Sequence, residues 1–334
     1  MKAFKNWDIY YLRDYVQSFQ LHGDGIPFLI EYRDDHSHFC YAVMMSDIAD
    51  CPLFKGALEP HQYYDLETPY GYGGPLWDEP VPEASQVQFL TEFREYAASK
   101  GLVSQFVRFH PLLMNHENIS GIFETRYLHG TVFMDTSSPE IIMKNMDSKN
   151  RNMVRKAVKN GITIERSPIE DYRSFIPLYR QTMDKDNASQ YYYFNEAYFK
   201  AQSNLKENAC IFYAKKGGQI VAASIMYYND RFMHYHLAGS LTDFRQFAPG
   251  NLLLYEAACW ASRQGIKKFH LGGGMSEEDN LFRFKKQFNK NGRLPFVIGR
   301  TVFDKDKFDM LVDIRKKLDA QFDENNSRMI RYRG

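Results

Sequence analysis

Hydrophobic and polar positions alternate most regularly between Cys210 and Phe288. Three apolar runs there, Ile211–Lys215, Ile220–Tyr228 and Phe232–Gly239, are rich in β-branched and aromatic residues. Lys216-Gly217-Gly218-Gln219 and Asn229-Asp230 separate them, and both are turn-formers, so the pattern predicts an antiparallel meander. A loop over Ser240–Gly250 then leads into a helix from Asn251 to Gln264, with Gly265 as its stop signal. A short strand, Lys268–Leu271, runs into Gly272-Gly273-Gly274, and a second amphipathic helix follows over Glu277–Asn289.

The rest of the chain reads with the same rules. Asp8–Phe19 predicts a helix, and Phe28–Arg33 with His38–Ser46 a hairpin. Cys51–Pro82 predicts no regular structure, and within it Tyr70–Pro75 packs glycines, a proline and tyrosines together. Such a loop either lets a ligand come close at Tyr72, Gly73 and Gly74 or is a turn packed by its own tyrosines. A helix over Glu83–Lys100 and strands over Val103–Phe109 and Leu128–Asp135 complete a first half that loosely repeats the order of the second. Helices are expected over Ser137–Met146, Asp147–Asn160, Ser167–Asp184 and Asn195–Asn204, with a strand over Ile162–Glu165. A strand over Leu294–Val302, a helix over Lys305–Phe322 and a fraying tail, Asp323–Gly334, end the chain.

Composition narrows the class. The 334 residues are long enough for two domains, and 44% hydrophobic with 16% aromatic residues suffices for two cores. A net charge of +1 argues against a general nucleic-acid coat protein, although Lys149, Arg151, Arg155, Lys156 and Lys159 load one short helix with positive charge. The four cysteines show no CxxC spacing and read as reduced thiols, and the polar N-terminus lacks the apolar core of a signal peptide. No run is long enough to span a bilayer. The expectation is a cytoplasmic protein with peripheral membrane contact at most.

The chemistry is read from the meander–loop–helix–strand order. A donor with an anionic handle needs backbone N–H groups at a helix start, and Arg245, Gly250 and Asn251 sit there. Pro249 suits that start, because its missing N–H would have no helical partner anyway. His236 is the best-placed titratable group for moving a proton, but it neighbours Tyr235 on a strand, so the two face opposite sides. No catalytic triad, metal-ligand spacing or nucleotide-binding glycine pattern stands out.

The helical stretch Ser148–Ile164, the hairpin Phe212–Tyr228, the run Tyr235–Gly274 and the end Phe282–Phe288 together resemble FemABX-type and related FemAB-like acyltransferases. The resemblance implies an α/β (α+β) fold of two tandem GNAT-like domains with split mixed sheets. The expected domains are residues 1–136 and 137–304, with the helix over 305–322 packed on the first. This chain has no long heptad arm, unlike the larger Fem proteins. The resemblance implies that Lys285 contacts a phosphate of the acceptor and Phe284 stacks beside the ligand. It also implies that Tyr235 contacts the acceptor, with Lys185, Tyr191 and Tyr192 as part of the acceptor wall. It implies no permanently bound cofactor. The co-substrate is an aminoacyl-tRNA or an acyl-CoA, and the acceptor is a nucleotide- or lipid-linked sugar or peptide precursor of the cell wall, with tRNA as a partner. An acyl-CoA-dependent N-acyltransferase acting on an amino sugar and a non-catalytic GNAT-fold binding protein are the alternatives. The loop Arg245–Asn251 has one glycine and a proline where CoA-binding GNAT loops are glycine-rich, so fewer N–H groups converge on a pyrophosphate.

Overall fold

The computed structural model describes residues 4–334, which divide into two compact units: 4–128 with 296–334, and 129–295. In the first unit Asp8 accepts a hydrogen bond from the Ile9 N–H and opens a single 3-10 turn, Ile9–Tyr11. Leu12 is extended, so α1 begins only at Arg13 and runs to His22. The one helix expected over Asp8–Phe19 is therefore two pieces. Strands β1 (Ile26–Arg33) and β2 (His38–Asp47) form the predicted hairpin.

The segment Cys51–Pro82, expected to be irregular, contains β3 (Tyr64–Glu67) and β4 (Leu76–Trp77), both paired with β2. Strands of four and two residues leave too little alternation to be read among glycines and prolines. Helix α2 (Glu83–Lys100) follows and ends at Gly101, whose φ of +67° closes the last turn. It returns the chain to β5 (Leu102–Arg108), which lies parallel to β3; a parallel pair needs such a crossover. This pairing continues past the end of β3. The Thr68 N–H donates to the Phe106 carbonyl at 3.1 Å, the Gly73 N–H to that of Arg108 at 2.7 Å, and Gly73 bridges Phe109. A Cβ on Gly73 would sit 2.9 Å from Thr68 and one on Gly74 2.8 Å from the Phe109 ring. The glycines of this loop make room for their own unit's side chains.

The chain crosses into the second unit within β6 (Glu124–Asp135). There follow α3 (Pro139–Asn145), capped by the Ser138 hydroxyl, and α4 (Ser148–Lys159). Strand β7 (Ile162–Pro168) runs to Pro168, and a 3-10 turn over Ile169–Ser174 precedes α5 (Ile176–Lys185). Prolines 168 and 177 break up the single helix predicted over Ser167–Asp184. Helix α6 (Glu196–Gln202) leads to the meander β8 (Ala209–Lys216), β9 (Gln219–Tyr228) and β10 (Phe232–Ser240). Then come α7 (Pro249–Arg263), β11 (Lys268–Gly273) and α8 (Asn280–Lys286). The strands stand in the order β6-β11-β10-β9-β8-β7, with only β10 and β11 parallel and α7 as their crossover. Helices α3, α4 and α7 bury Ile142, Val154, Ala157, Leu252 and Leu253 in the main core.

The chain returns through β12 (Arg293–Val302), antiparallel to β5, and closes with α9 (Lys305–Leu318). Phe308, Leu311 and Val312 of α9 pack with Ile48, Phe54 and Val103 of the first unit. The tail does not fray. Tyr332 is 0% exposed and its hydroxyl meets Ser104 at 2.7 Å. The Arg333 guanidinium grips both Asp65 oxygens at 2.7 Å, a bidentate geometry that lysine cannot reproduce. Charge content alone suggested a solvated tail; the pairing of its arginine with a buried carboxylate overrides that.

Breaking this pair leaves the Asp65 carboxylate buried without its partner. Arg333→Ala is expected to cost about 3 kcal/mol, at the low end for a buried pair because the arginine is partly exposed. Urea unfolding measures this, with the exposed Arg328→Ala, expected to change stability by less than about 0.5 kcal/mol, as the control.

Candidate functional site

The site begins where two strands part. Strands β10 and β11 pair at Phe232↔Lys268, Met233↔Phe269 and His234↔His270, and no further. Past these positions each strand is irregular against its other neighbour: β10 against β9 between Tyr235 and Ala238, β11 against β6 between His270 and Gly272. Bulges bend strands and increase their twist, and Gly272, at φ +75°, adopts a backbone that side chains disfavour. Beyond His234 and His270 the two strands no longer pair, which leaves a gap in the ladder between Tyr235 and Gly273.

Helix α8 fills one side of the gap. Asp279 caps it by accepting from the Phe282 N–H at 2.7 Å, and also takes the Met275 and Ser276 N–H groups. Burial works to raise the Asp279 pKa, but these backbone donors outweigh it and hold the carboxyl below its usual range. So anchored, α8 turns Lys285 inward. Lys285 is only 7% exposed; its Nζ donates to the Gly273 carbonyl at 2.6 Å and lies 5.6 Å from the centre of the Tyr235 ring. Burial pulls its pKa down to about 8, opposed weakly by Asp279, and burial pushes the Tyr235 hydroxyl up to about 12. Phe284 packs edge-to-face on Phe288 at 5.4 Å, against the main core. Lys286 is half-exposed, 5.9 Å from the Phe282 ring centre.

His236 faces the other side of the sheet, as strand alternation requires. Its Nε2 is 2.9 Å from the Tyr198 hydroxyl, and its ring lies 4.4 Å from that of Tyr227. Burial, with a smaller push from His234, lowers its pKa to about 3. A group so hard to protonate near neutral pH is poorly suited to the proton-carrying role expected of it. Tyr191 and Tyr192 belong to this face too. Tyr191 touches Phe194, which stacks on Tyr198 at 4.3 Å, and the Tyr179 hydroxyl donates to the Tyr192 carbonyl. Lys185 pairs with Asp186 at the surface. The candidate residues of this unit therefore divide into a Tyr235–Phe284–Lys285 group and a His236–Tyr191–Tyr192 group on opposite faces. Tyr72, in the first unit, packs edge-to-face with Tyr10 and Phe296, alongside Gly73 and Gly74.

At the start of α7, Ala248 adopts a left-handed backbone (φ +57°) and Pro249 takes the first helical turn. No acidic residue lies in that turn, and a Cβ on Gly250 would meet nothing within 4 Å. Arg245 is exposed and its carbonyl accepts from the Ala248 N–H. Asn251 donates its amide to Asn150 Oδ1 at 2.7 Å. Asn150, on α4, is fully buried and its Nδ2 has no hydrogen-bond partner. Sequence reading passed over it because it sits among lysines and arginines. The signal was an asparagine inside a helix, where it is intrinsically disfavoured.

Residues 144–286 match the family described as acetyltransferase (GNAT) domain. No curated protein sequence matches the chain. Among solved structures, FemX is similar over 92% of this chain and 96% of its own, with a TM-score of 0.68 and 14% identity. A conserved protein of unknown function from Bacteroides thetaiotaomicron is similar over 90% and 95%, with a TM-score of 0.59 and 12% identity. L-PGS from Bacillus licheniformis is similar over 90% and 91%, with a TM-score of 0.53 and 14% identity. These likenesses are of fold. The described residues share the fold of FemX, with no long coiled-coil arm among them, and residues 144–286 of the second unit match a GNAT acetyltransferase domain.

The low pKa of His236 has a measurable sign. The unfolded chain takes up its proton near pH 6.5, the folded chain only near 3, so stability is lost as pH falls through that window. Relative to His236→Gln, the protein is expected to lose up to about 1.4 kcal/mol per pH unit there, read from denaturant midpoints. In a transfer assay, the variant is expected to stay within about tenfold of the parent, less than the loss of a general acid–base group.

Proposed function

We propose that this protein is an N-acyltransferase that moves an aminoacyl or acyl group from an ester or thioester donor to an amine. The acceptor is a nucleotide- or lipid-linked sugar or peptide precursor of the cell wall or cell surface. The observation that carries the reading is the parting of β10 and β11 with Tyr235, Gly273 and Lys285 around it. A gap between strands offers unladdered backbone groups to an extended donor and positions its carbonyl for attack, and amine attack depends on positioning and oxyanion stabilisation more than on a protein nucleophile.

The donor's anionic part is assigned to the start of α7, where Gly250 leaves open space and Asn150 holds an unspent N–H. Aminoacyl-tRNA is the favoured donor. Lys149, Arg155, Lys156 and Lys159 are exposed along α4, whose sequence holds no acidic residue, and α4 carries the Asn150 partner of α7. Acyl-CoA is the second reading, favoured by the acetyltransferase match over residues 144–286. The protein works in the cytoplasm on this reading, meeting a lipid-linked acceptor at the membrane surface; no helix among the described residues is long and apolar enough to cross a membrane.

Thermal-shift measurements with acetyl-CoA, aminoacyl-tRNA and precursor fragments separate the readings. A saturating true ligand is expected to stabilise the fold by roughly 2–4 kcal/mol. A shift with acetyl-CoA alone would move the assignment to the second reading, and no shift with any of them would leave a binding protein of another kind. Asn150→Leu removes the orphaned amide and also the Oδ1 to which Asn251 donates, so it is expected to cost about 1–3 kcal/mol of stability while the fold is retained. It should raise the donor KM by about tenfold, the loss of one hydrogen bond to a charged group.

A further inference from the structure

We propose that Lys285 is the base that takes the proton from the acceptor amine during transfer. The inference rests on the N-acyltransferase reading above and gives its site a missing part. Amine attack on an ester or thioester makes a C–N bond and leaves an ammonium that must lose a proton before the C–O or C–S bond breaks productively. His236 sits on the wrong face and is engaged with Tyr198.

Lys285 is the amine at the gap. Its Nζ reaches from α8 to the carbonyl of Gly273 on β11 and lies over the Tyr235 ring of β10, so it touches both strands where they part. A neutral amine giving one N–H to Gly273 keeps a lone pair for an incoming proton.

The charges around it do not hold it as a cation. Among the described residues, Lys285 forms no ion pair. From its own helix, Arg283 and Lys286 add positive charge, and the Asp279 carboxylate is occupied by three backbone N–H groups. In the preceding loop, Glu277 is spent on Arg293 and the Gly130 N–H. From β10 comes Tyr235, whose hydroxyl stays protonated. His129 on β6 lies beside Gly273, the residue whose carbonyl takes the Lys285 amine. Burial then brings the lysine's pKa to about 8, where base and acid forms are both populated near neutral pH. A lysine meant only as a phosphate clamp would gain from an open position such as that of Lys286.

In the step proposed, the acceptor nitrogen attacks the donor carbonyl carbon and forms the C–N bond. Its proton passes to Lys285 Nζ, the bond to the donor oxygen or sulfur breaks, and the resulting lysine ammonium gives its proton to that leaving atom. Nothing is oxidised or reduced.

The test compares the intact protein with Lys285→Arg and Lys285→Met. Arginine keeps the charge but cannot accept a proton near neutral pH, so both variants are expected to lose about 10²–10⁴ in kcat, with KM for donor and acceptor changed by less than about threefold. The parent rate should rise as pH passes through about 8 and then level. In protein labelled with 13C-lysine, the Cε resonance absent from Lys285→Met should titrate near 8. Retention of more than a tenth of kcat by Lys285→Arg, or a titration near the ordinary lysine value of about 10.4, would overturn the base role while leaving the transferase reading intact. If acetyl-CoA and aminoacyl-tRNA both fail to give transfer to amine-bearing precursor fragments, the transferase reading and the base role fall together. Thermal midpoints of both variants at or above the parent's would show that the kinetic loss is not unfolding.

Discussion

The second unit is organised by a pairing that stops. Parallel strands β10 and β11 share three residue pairs and then separate, so backbone groups that a full ladder would satisfy must find other partners. Some of them do so through side chains. The Gly273 carbonyl takes the Lys285 amine, the Leu237 carbonyl takes the Ser224 hydroxyl, and the Ser240 N–H donates to the Thr182 hydroxyl. Each of these side chains is fixed by a different element, so the gap is held open by α5, β9 and α8 together. Gly239 shows how tightly one wall is braced: a Cβ there would lie 2.6 Å from the Leu178 backbone of α5. A break in the ladder lined by polar backbone groups suits a transferase, which must hold a reacting carbonyl.

Much of this was legible in the chain. The three meander strands, the α7 crossover and the strand into Gly272 were readable because each is a long alternating or periodic run bounded by glycine, asparagine or aspartate. Lys285 could be picked out by its place in the Phe-Arg-Phe-Lys run, but its burial could not, since nothing in a basic helix tells which lysine turns inward. The bulge at Tyr235–Ala238 was equally silent, because bulges depend on the register of the partner strand. The division of Tyr235 from His236 was legible from alternation alone, yet the destination of each side chain needed the packing of α6 and α8. Helix ends went astray where a proline or a capping aspartate decided them, as at Pro177 and Asp279.

The two units build the same parallel crossover and treat it differently. In the first, β3 and β5, joined by α2, pair over the whole of β3, and the glycine loop extends the pairing to Phe109. In the second, β10, α7 and β11 part early. The helix starts differ in the same sense: Glu83 places an acid in the first turn of α2, while α7 has none. An acid there competes with any anion for the positive end of the helix. Closed pairing with an acidic helix start suits a structural role, and open pairing with an uncharged one suits a ligand. In the loop Tyr70–Pro75 the glycines are crowded by Thr68, Tyr10 and Phe109.

The first unit is also discontinuous: residues 296–334 complete what residues 4–128 begin, with the whole second unit made in between. A chain that emerges from the ribosome N-terminus first therefore cannot finish its first unit first. Strand β5 waits for β12 to cover its flank, and Asp65 waits for Arg333 to neutralise it. The acyltransferase unit, contiguous in sequence, is free to fold while its neighbour is still an open half-sheet. The order of synthesis thus runs opposite to the order of the units, and Tyr332 and Arg333, made after the whole second unit, lock Ser104 and Asp65 into place.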